Sequence, residues 1–222
     1  MIFIDRIDAA RKLADALAAY RGANPLVLAI PRGAVPMGAA LAEALQGELD
    51  VVLVHKLSSR WSPEYAIGAI DESGWSFVSD PSEADEAWLK EEKARRLAGL
   101  HQRRAQYSPE RPPIDPRGRV VIIVDDGLAT GATMIAALHA VRAQGPQKLV
   151  CAVPVGAPDS LKKVEPYADE VVCLYAPWDF RAVGQFYSQF WQVEDDEVID
   201  CLREHRRRAA ARPAGGGTPP PQ

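Results

Sequence analysis

The segment VVIIVDDGLATGAT, residues 120–133, sets two adjacent carboxylates, Asp125 and Asp126, directly after five apolar residues. Gly127, Thr130, Gly131 and Thr133 follow within a few positions. The apolar run reads as a strand buried on both faces, which puts the acids at its carboxyl end. In an open parallel sheet, ligands bind beyond that end. Two neighbouring carboxylates repel each other and require hydroxyl donors or a cation. Ala129, Thr130, Gly131, Ala132 and Thr133 then form a tight turn into a helix, and Gly131 relaxes the backbone there. The free N–H groups of the turn and of the helix start make a cradle for a phosphate. The hydroxyls of Thr130 and Thr133 add donors. A ligand matching both ends carries a phosphate at one end and a polyol or a metal at the other. A 5-phosphorylated ribose meets that description.

Three other phosphate-handling patterns do not fit. A Walker A loop needs G-x-x-x-x-G-K-[ST], whereas Gly127 and Gly131 have three residues between them and no lysine follows. The dinucleotide fingerprint G-x-G-x-x-G is absent. A phosphatase-like Asp-x-Asp-Gly motif needs a residue between the acids. The bland alternative is a solvated strand end followed by a glycine turn; it suffices for the acid pair alone but not for the whole order of strand, acid pair and Thr-Gly-x-Thr helix start.

Other elements have to position this segment. Apolar runs at 25–30, 49–57, 119–124, 148–155 and 170–175 read as buried strands. Helical patterns at 5–21, 39–47, 131–144 and 157–166 alternate with them. That alternation predicts an α/β fold, a doubly wound and mainly parallel sheet of about five strands flanked by helices. Residues 58–80 read as a mobile loop running into a short hairpin, and 81–107 as a long, highly charged inserted helix. A single domain over 1–208 is expected, with 209–222 a disordered low-complexity tail. The 222 residues suffice for one sizeable core, and the net charge of -4 supplies no global field for nucleic acid. Cys151, Cys173 and Cys201 are far apart and make no zinc set. An odd cysteine count without a framework fits a reducing compartment, and a cytoplasmic location is expected. The first residues do not read as a signal peptide, and no apolar run reaches membrane-spanning length.

VIIVDDGLATGAT resembles the phosphoribosyl pyrophosphate (PRPP) signature of type I phosphoribosyltransferases, and the element order from about residue 1 to 205 follows that family. More narrowly, the chain is similar to a group of bacterial predicted phosphoribosyltransferases. The resemblance implies that Asp125 and Asp126 hold the ribose 2′ and 3′ hydroxyls with Mg²⁺ nearby. It implies that the backbone of Ala129 to Thr133 binds the 5′-phosphate. The PRGAVP turn stands where the family has its pyrophosphate loop, which often holds a strained peptide; Arg32 would supply charge there and Gly33 a close backbone approach. Lys56 is either a further pyrophosphate ligand or a solvent-exposed lysine at a strand end. Residues 58–75 match the family's closing loop, with Arg60 and Glu64 as its working residues and Trp61 and Tyr65 as cover. A hood built from the chain ends usually chooses the base. Here residues 175–198 are the hood piece, with Trp178 and Phe180 placed for base contact. Phe186, Tyr187, Phe190 and Trp191 are spaced like a helix packing on the core. His139 reads as a surface residue.

The implied activity is Mg²⁺-dependent transfer of 5-phosphoribosyl from PRPP to a nitrogenous base with release of pyrophosphate, by a protein of a commonly dimeric family. Ala129 stands where the 6-oxopurine enzymes of the family carry an aspartate, which counts against hypoxanthine or guanine. Two other readings stay open, a PRPP-binding regulator that has lost turnover and a hydrolase.

Overall fold

The protein is described here by a computed structural model that places residues 2–61, 66–78, 85–109 and 111–211. In chain order the elements are α1 (Arg6–Ala16), β1 (Leu26–Ala29), α2 (Val35–Leu45), β2 (Glu48–Val51), β3 (Val54–Ser58), β4 (Ala66–Asp71), β5 (Ser76–Val78), α3 (Glu86–Tyr107), β6 (Val120–Val124), α4 (Ala132–Arg142), β7 (Lys148–Val155), α5 (Pro158–Val164), β8 (Glu170–Tyr175) and α6 (Asp195–Ala211). Five strands form one parallel sheet in the order β2-β1-β6-β7-β8. The chain runs from β1 outward through α2 to β2, then returns to lay β6 on the other side of β1. The sheet therefore reverses its winding between β1 and β6, and the crevice beyond their carboxyl ends is where a ligand site belongs.

Alternation along the strands explains the two layers of helix. Val27, Ala29, Ile122, Val124, Val150 and Ala152 face a core shared with α1, α2, α3 and α6. Their neighbours Leu26, Leu28, Val121, Ile123, Leu149, Cys151 and Val153 face α4 and α5. Helix starts follow the sequence. Asp5 caps α1 by accepting the Asp8 N–H at 2.8 Å, and Asp85 caps α3 by accepting the Trp88 N–H at 2.9 Å. Cys151, deep in the sheet, is a packing residue whose thiol burial pushes up to about 12.

Several expectations need correction. The run 49–57 is not one strand. The chain leaves the main sheet after Val51, and β3 pairs antiparallel with β4 and β4 with β5 in a separate three-stranded sheet. The sequence does not show that break, because Val51, Val52, Leu53 and Val54 run through it as consecutive apolar residues. The hairpin expected within 58–80 is β4–β5, so the range 58–75 taken as the closing loop holds a strand over 66–71; residues 62–65 lie outside the described residues. Helix α2 begins at Val35, inside what reads as a turn, and ends at Gln46 in the left-handed region. Gly47 serves close approach instead, since a Cβ there would lie 2.3 Å from the Pro25 carbonyl oxygen. Residues 186–191 do not form a helix. The Ser188 and Gln189 N–H groups donate to the carbonyls of Phe3 and Ile4, so this stretch is extended beside the N-terminus. Helix α6 continues through Ala211, past the expected tail boundary at 209.

The charged helix α3 covers the β3–β4 sheet and meets α6. Its charge is partly inward: buried Arg104 donates to Asp50 Oδ1 at 2.7 Å, to the Val51 carbonyl at 2.9 Å and to Glu72 at 2.5 and 2.6 Å. No helix among the described residues is long and apolar enough to cross a membrane.

Candidate functional site

At the carboxyl end of β6, residues 125 and 127–134 line a cleft of about 190 Å³. Gly131 takes φ +79° as the N-cap of α4 and makes no side-chain cap bond, unlike the aspartates that cap α1 and α3. The first N–H groups of α4 therefore point out of the helix without an intrahelical partner. The turn before them is braced from behind. Leu128 N–H donates to the Val155 carbonyl, Ala157 N–H to the Leu128 carbonyl, and Ser160 Oγ to the Ala129 carbonyl at 2.7 Å. Gly127 is pressed so closely on Val183 that a Cβ would lie 2.5 Å from Cγ1. Thr130 is exposed and Thr133 half-buried at the cleft.

Asp125 and Asp126 are both half-buried beside this cradle. Burial raises the Asp125 carboxyl well above the usual carboxylate range, and the charge of Asp126 pushes it the same way. Burial also raises Asp126, against the opposing pull of Arg6. Arg6 donates from Nε at 2.9 Å and from Nη2 at 2.8 Å to Asp126 Oδ2. The Tyr187 hydroxyl donates to the Asp126 carbonyl at 2.6 Å.

The turn after β1 closes on the same carboxylate. The Pro31-Arg32 peptide is cis. Gly33 lies so near Asp126 that a Cβ on it would stand 2.3 Å from Oδ2. A second cleft, of about 370 Å³, is lined by Arg6, Arg32, Gly33, Asp126 and residues 190–193. Arg32 reaches across it to Glu194 at 3.0 Å and to Asp195 at 4.0 Å.

The structure thus brings together Asp125, Asp126, Ala129, Thr130, Gly131, Ala132 and Thr133, with Arg32 and Gly33 facing Asp126. It does not bring Lys56 there: Lys56 is half-buried on β3, outside the main sheet, and lines neither cleft. Glu64 and Tyr65 lie outside the described residues. Arg60 pairs with Asp85 at 3.0 Å instead of facing either cleft, while Trp61 is exposed. Trp178 is 92 % exposed, and Phe180 stacks on Phe186 at 5.5 Å between ring centroids, so the pair is divided between solvent and core. Phe186 and Tyr187 are buried as expected of core residues, but Trp191 is exposed and borders the second cleft. His139 is not a surface residue; it is half-buried against Trp75, Phe77 and Tyr167.

Sequence reasoning missed Arg6, Tyr187, Glu194 and Asp195. Arg6 alone left a local signal. A cation in the first turn of a helix opposes the helix dipole, so its presence there points to a partner outside the helix.

Comparisons with known proteins agree with this geometry. The family described as "Phosphoribosyl transferase domain" matches residues 4–191. Two Mycobacterium tuberculosis chains, from strains CDC 1551 and H37Rv and each provisionally named a phosphoribosyl transferase, are 44 % identical over 210 residues. The match covers 92 % of this chain and 47 % of theirs, so the chain spans about half the length of the curated relatives it matches. The crystal structure of TT1426 from Thermus thermophilus superposes with a TM-score of 0.85 at 42 % identity, covering 92 % of this chain and 99 % of that one. Fold, matched residues and relatives together place the chain in the phosphoribosyl transferase domain family.

Proposed function

We propose that the chain transfers a 5-phosphoribosyl group from PRPP to a nitrogenous base and releases pyrophosphate. One observation carries this reading: the α4 start, with no cap bond from Gly131 and only a long 3.5 Å contact from the Ala132 N–H to Thr130 Oγ1, shares the end of β6 with a carboxylate pair, and the Arg32–Gly33 turn closes on the second carboxylate. The α4 N-terminus takes the 5′-phosphate. Asp125 and Asp126 accept from the ribose hydroxyls. Arg32 faces the diphosphate across the second cleft. Lys56 receives no contact in this reading.

The donor set also suits Mg²⁺. Among the described residues no group of three or more His, Cys, Asp or Glu side chains is arranged to hold a metal. Two adjacent carboxylates remain, and Mg²⁺ is commonly held by one or two carboxylates together with substrate phosphates. Asp125 and Asp126 are the residues that would hold it, and when bound it neutralises charge on the departing diphosphate. The chain's own part is positioning. Departure of the diphosphate leaves positive charge on the sugar ring, and the buried carboxylates stand near that ring. Fixing phosphate, ribose and diphosphate on the turns after β6 and β1 supplies orientation without covalent chemistry.

The test mixes the purified protein with PRPP and Mg²⁺ and follows pyrophosphate release with adenine, hypoxanthine, guanine, xanthine, uracil, orotate or no base. Release with one base, lost in the Asp125→Asn/Asp126→Asn double variant, is the expected result. PRPP binding without release would favour a PRPP-dependent regulator. Neither binding nor release would overturn the assignment of the site.

A further inference from the structure

Arg6 joins three parts of the molecule that the sequence holds far apart. It belongs to the first turn of α1, where its charge opposes the helix dipole. All of its guanidinium nitrogens are engaged: Nε and Nη2 donate to Asp126 Oδ2, and Nη1 donates to the Trp191 carbonyl at 2.7 Å. Its plane lies 4.0 Å from the centroid of the Phe190 ring. Its side chain is 12 % exposed and that of Asp126 is 15 % exposed, so the pair is largely desolvated. Both donors to Asp126 converge on Oδ2, which leaves Oδ1 outside the ion pair. Gly33 closes the arrangement, since its missing Cβ would lie 3.2 Å from Nη2 as well as against Oδ2.

We propose that Arg6 is a positioning residue that aims Asp126 and locks segment 190–193 over the second cleft, so that PRPP binds only where α1 is docked. This rests on the reading of Asp126 as a PRPP contact. Arg6 touches no substrate in this assignment. It holds one carboxylate oxygen so that the other faces the ligand, and it offsets part of the repulsion between Asp125 and Asp126. Through the Trp191 carbonyl and the Phe190 ring the same side chain fixes the wall of the cleft. The guanidinium fork is needed for this, because a lysine ammonium is a point charge that cannot serve a carboxylate, a carbonyl and a ring at once.

The experiment measures PRPP affinity by calorimetry with Mg²⁺ for the wild type, Arg6→Lys, Arg6→Gln, Asp126→Asn and the Arg6→Gln/Asp126→Asn double variant. Arg11→Ala, an exposed change on the same helix, is the control. The expected result is a loss of about tenfold or more in Arg6→Gln, a smaller loss in Arg6→Lys, and a smaller further loss when Arg6→Gln is added to Asp126→Asn, because only the hold on segment 190–193 is then left to lose. A merely structural role would give additive losses. Unchanged affinity in Arg6→Gln, or its full loss repeated in the Asp126→Asn background, overturns the proposal. Hydrogen exchange without ligand separates this inference from the functional reading beneath it. If the wild type does not bind PRPP, the functional reading fails and Arg6 is judged on the lock alone. Faster exchange of the 188–193 amides in Arg6→Gln than in the wild type, absent in Arg11→Ala, supports the lock; equal exchange refutes it.

Discussion

Replacing Gly33 by alanine tests the junction between the two turns most directly. The added Cβ would stand 2.3 Å from Asp126 Oδ2, whereas ordinary contact begins near 3.4 Å, so about 1 Å of displacement is required. Asp126 cannot absorb it freely, because Oδ2 is held by two N–H donors of Arg6 and the Asp126 carbonyl by the Tyr187 hydroxyl. Either the carboxylate leaves Arg6 or the Arg32–Gly33 turn moves away from it. Overpacking of this kind costs about 1–3 kcal/mol. In a domain of this size that lowers the thermal midpoint by about 2–4 °C for each kcal/mol. Activity is more sensitive, since a misplacement of about 1 Å costs on the order of 100-fold. Differential scanning calorimetry and the pyrophosphate-release assay read the two effects. Gly99→Ala is a matched control: Gly99 is an exposed residue within α3 with nothing within 4 Å of an added Cβ. It should be stabilising by about 0.5–1 kcal/mol and leave activity unchanged. A Gly33→Ala protein with wild-type midpoint and wild-type turnover would refute the reasoning.

Asp125→Asn removes a carboxylate that burial and Asp126 both disfavour, while an amide oxygen remains to accept the Asp126 N–H. Its thermal midpoint at pH 8 should equal or exceed that of the wild type while PRPP binding is lost; a lower midpoint would contradict the electrostatic account. His139 is held below its ordinary 6.5 by burial against Trp75, Phe77 and Tyr167. The unfolded chain then binds the extra proton first, so His139 makes stability fall as pH drops through the range near and below 6.5. Urea midpoints of wild type and His139→Phe across pH 8 to 5 should diverge toward acid, with the wild type losing more; parallel curves would exclude His139 as a source of the acid sensitivity. Arg104→Met leaves Asp50, whose side chain is 0 % exposed, with Arg111 at 3.9 Å as its nearest cation and takes the partner from Glu72 as well, so it should cost about 3–5 kcal/mol in urea unfolding; a loss under 1 kcal/mol would show that Arg111 and the Ile114 N–H suffice to hold Asp50.

How much was legible follows from how far apart the partners lie. The strand–acid-pair–glycine–helix order is local, and β6, the acid pair and the α4 start stand as the sequence has them. Strands β7 and β8 keep their expected bounds because each is one apolar run between turn residues. The Phe3–Tyr187 bridge lays the N-terminus beside the segment 175–198, a long-range contact that no local pattern shows. What escaped was set by tertiary partners. Residues 186–191 look helical by spacing, but the carbonyls of Phe3 and Ile4 claim the N–H groups of Ser188 and Gln189 and hold them extended. His139 looks exposed on its helix until β5 brings Phe77 onto it. Gly33 reads as a means of approaching a diphosphate; what crowds it in the fold is Asp126, nearly a hundred residues later. Arg6 is 120 positions from its carboxylate, so its place in the first turn of α1 can signal a partner but not which one.

The two ion pairs at the site differ in a way that orders the events of binding. Arg32 and Glu194 are 35 % and 58 % exposed, so their contact is a surface pair whose loss costs about 0–1 kcal/mol. Arg6 and Asp126, at 12 % and 15 %, are largely withdrawn from water, and separating them would leave charge in a poorly solvated place. On the proposed reading, a diphosphate entering the second cleft would displace Glu194 from Arg32 and leave Arg6 on Asp126. The exposed pair is the one that exchanges partners, and the buried pair is the one that keeps its geometry. Arg32 rests on Glu194 and Asp195, and Asp195 is itself held by the Tyr107 hydroxyl at 2.5 Å. In that reading the acidic start of α6 would compete with the ligand for Arg32, while the N-terminal helix α1, through Arg6, holds the Asp126 carboxylate.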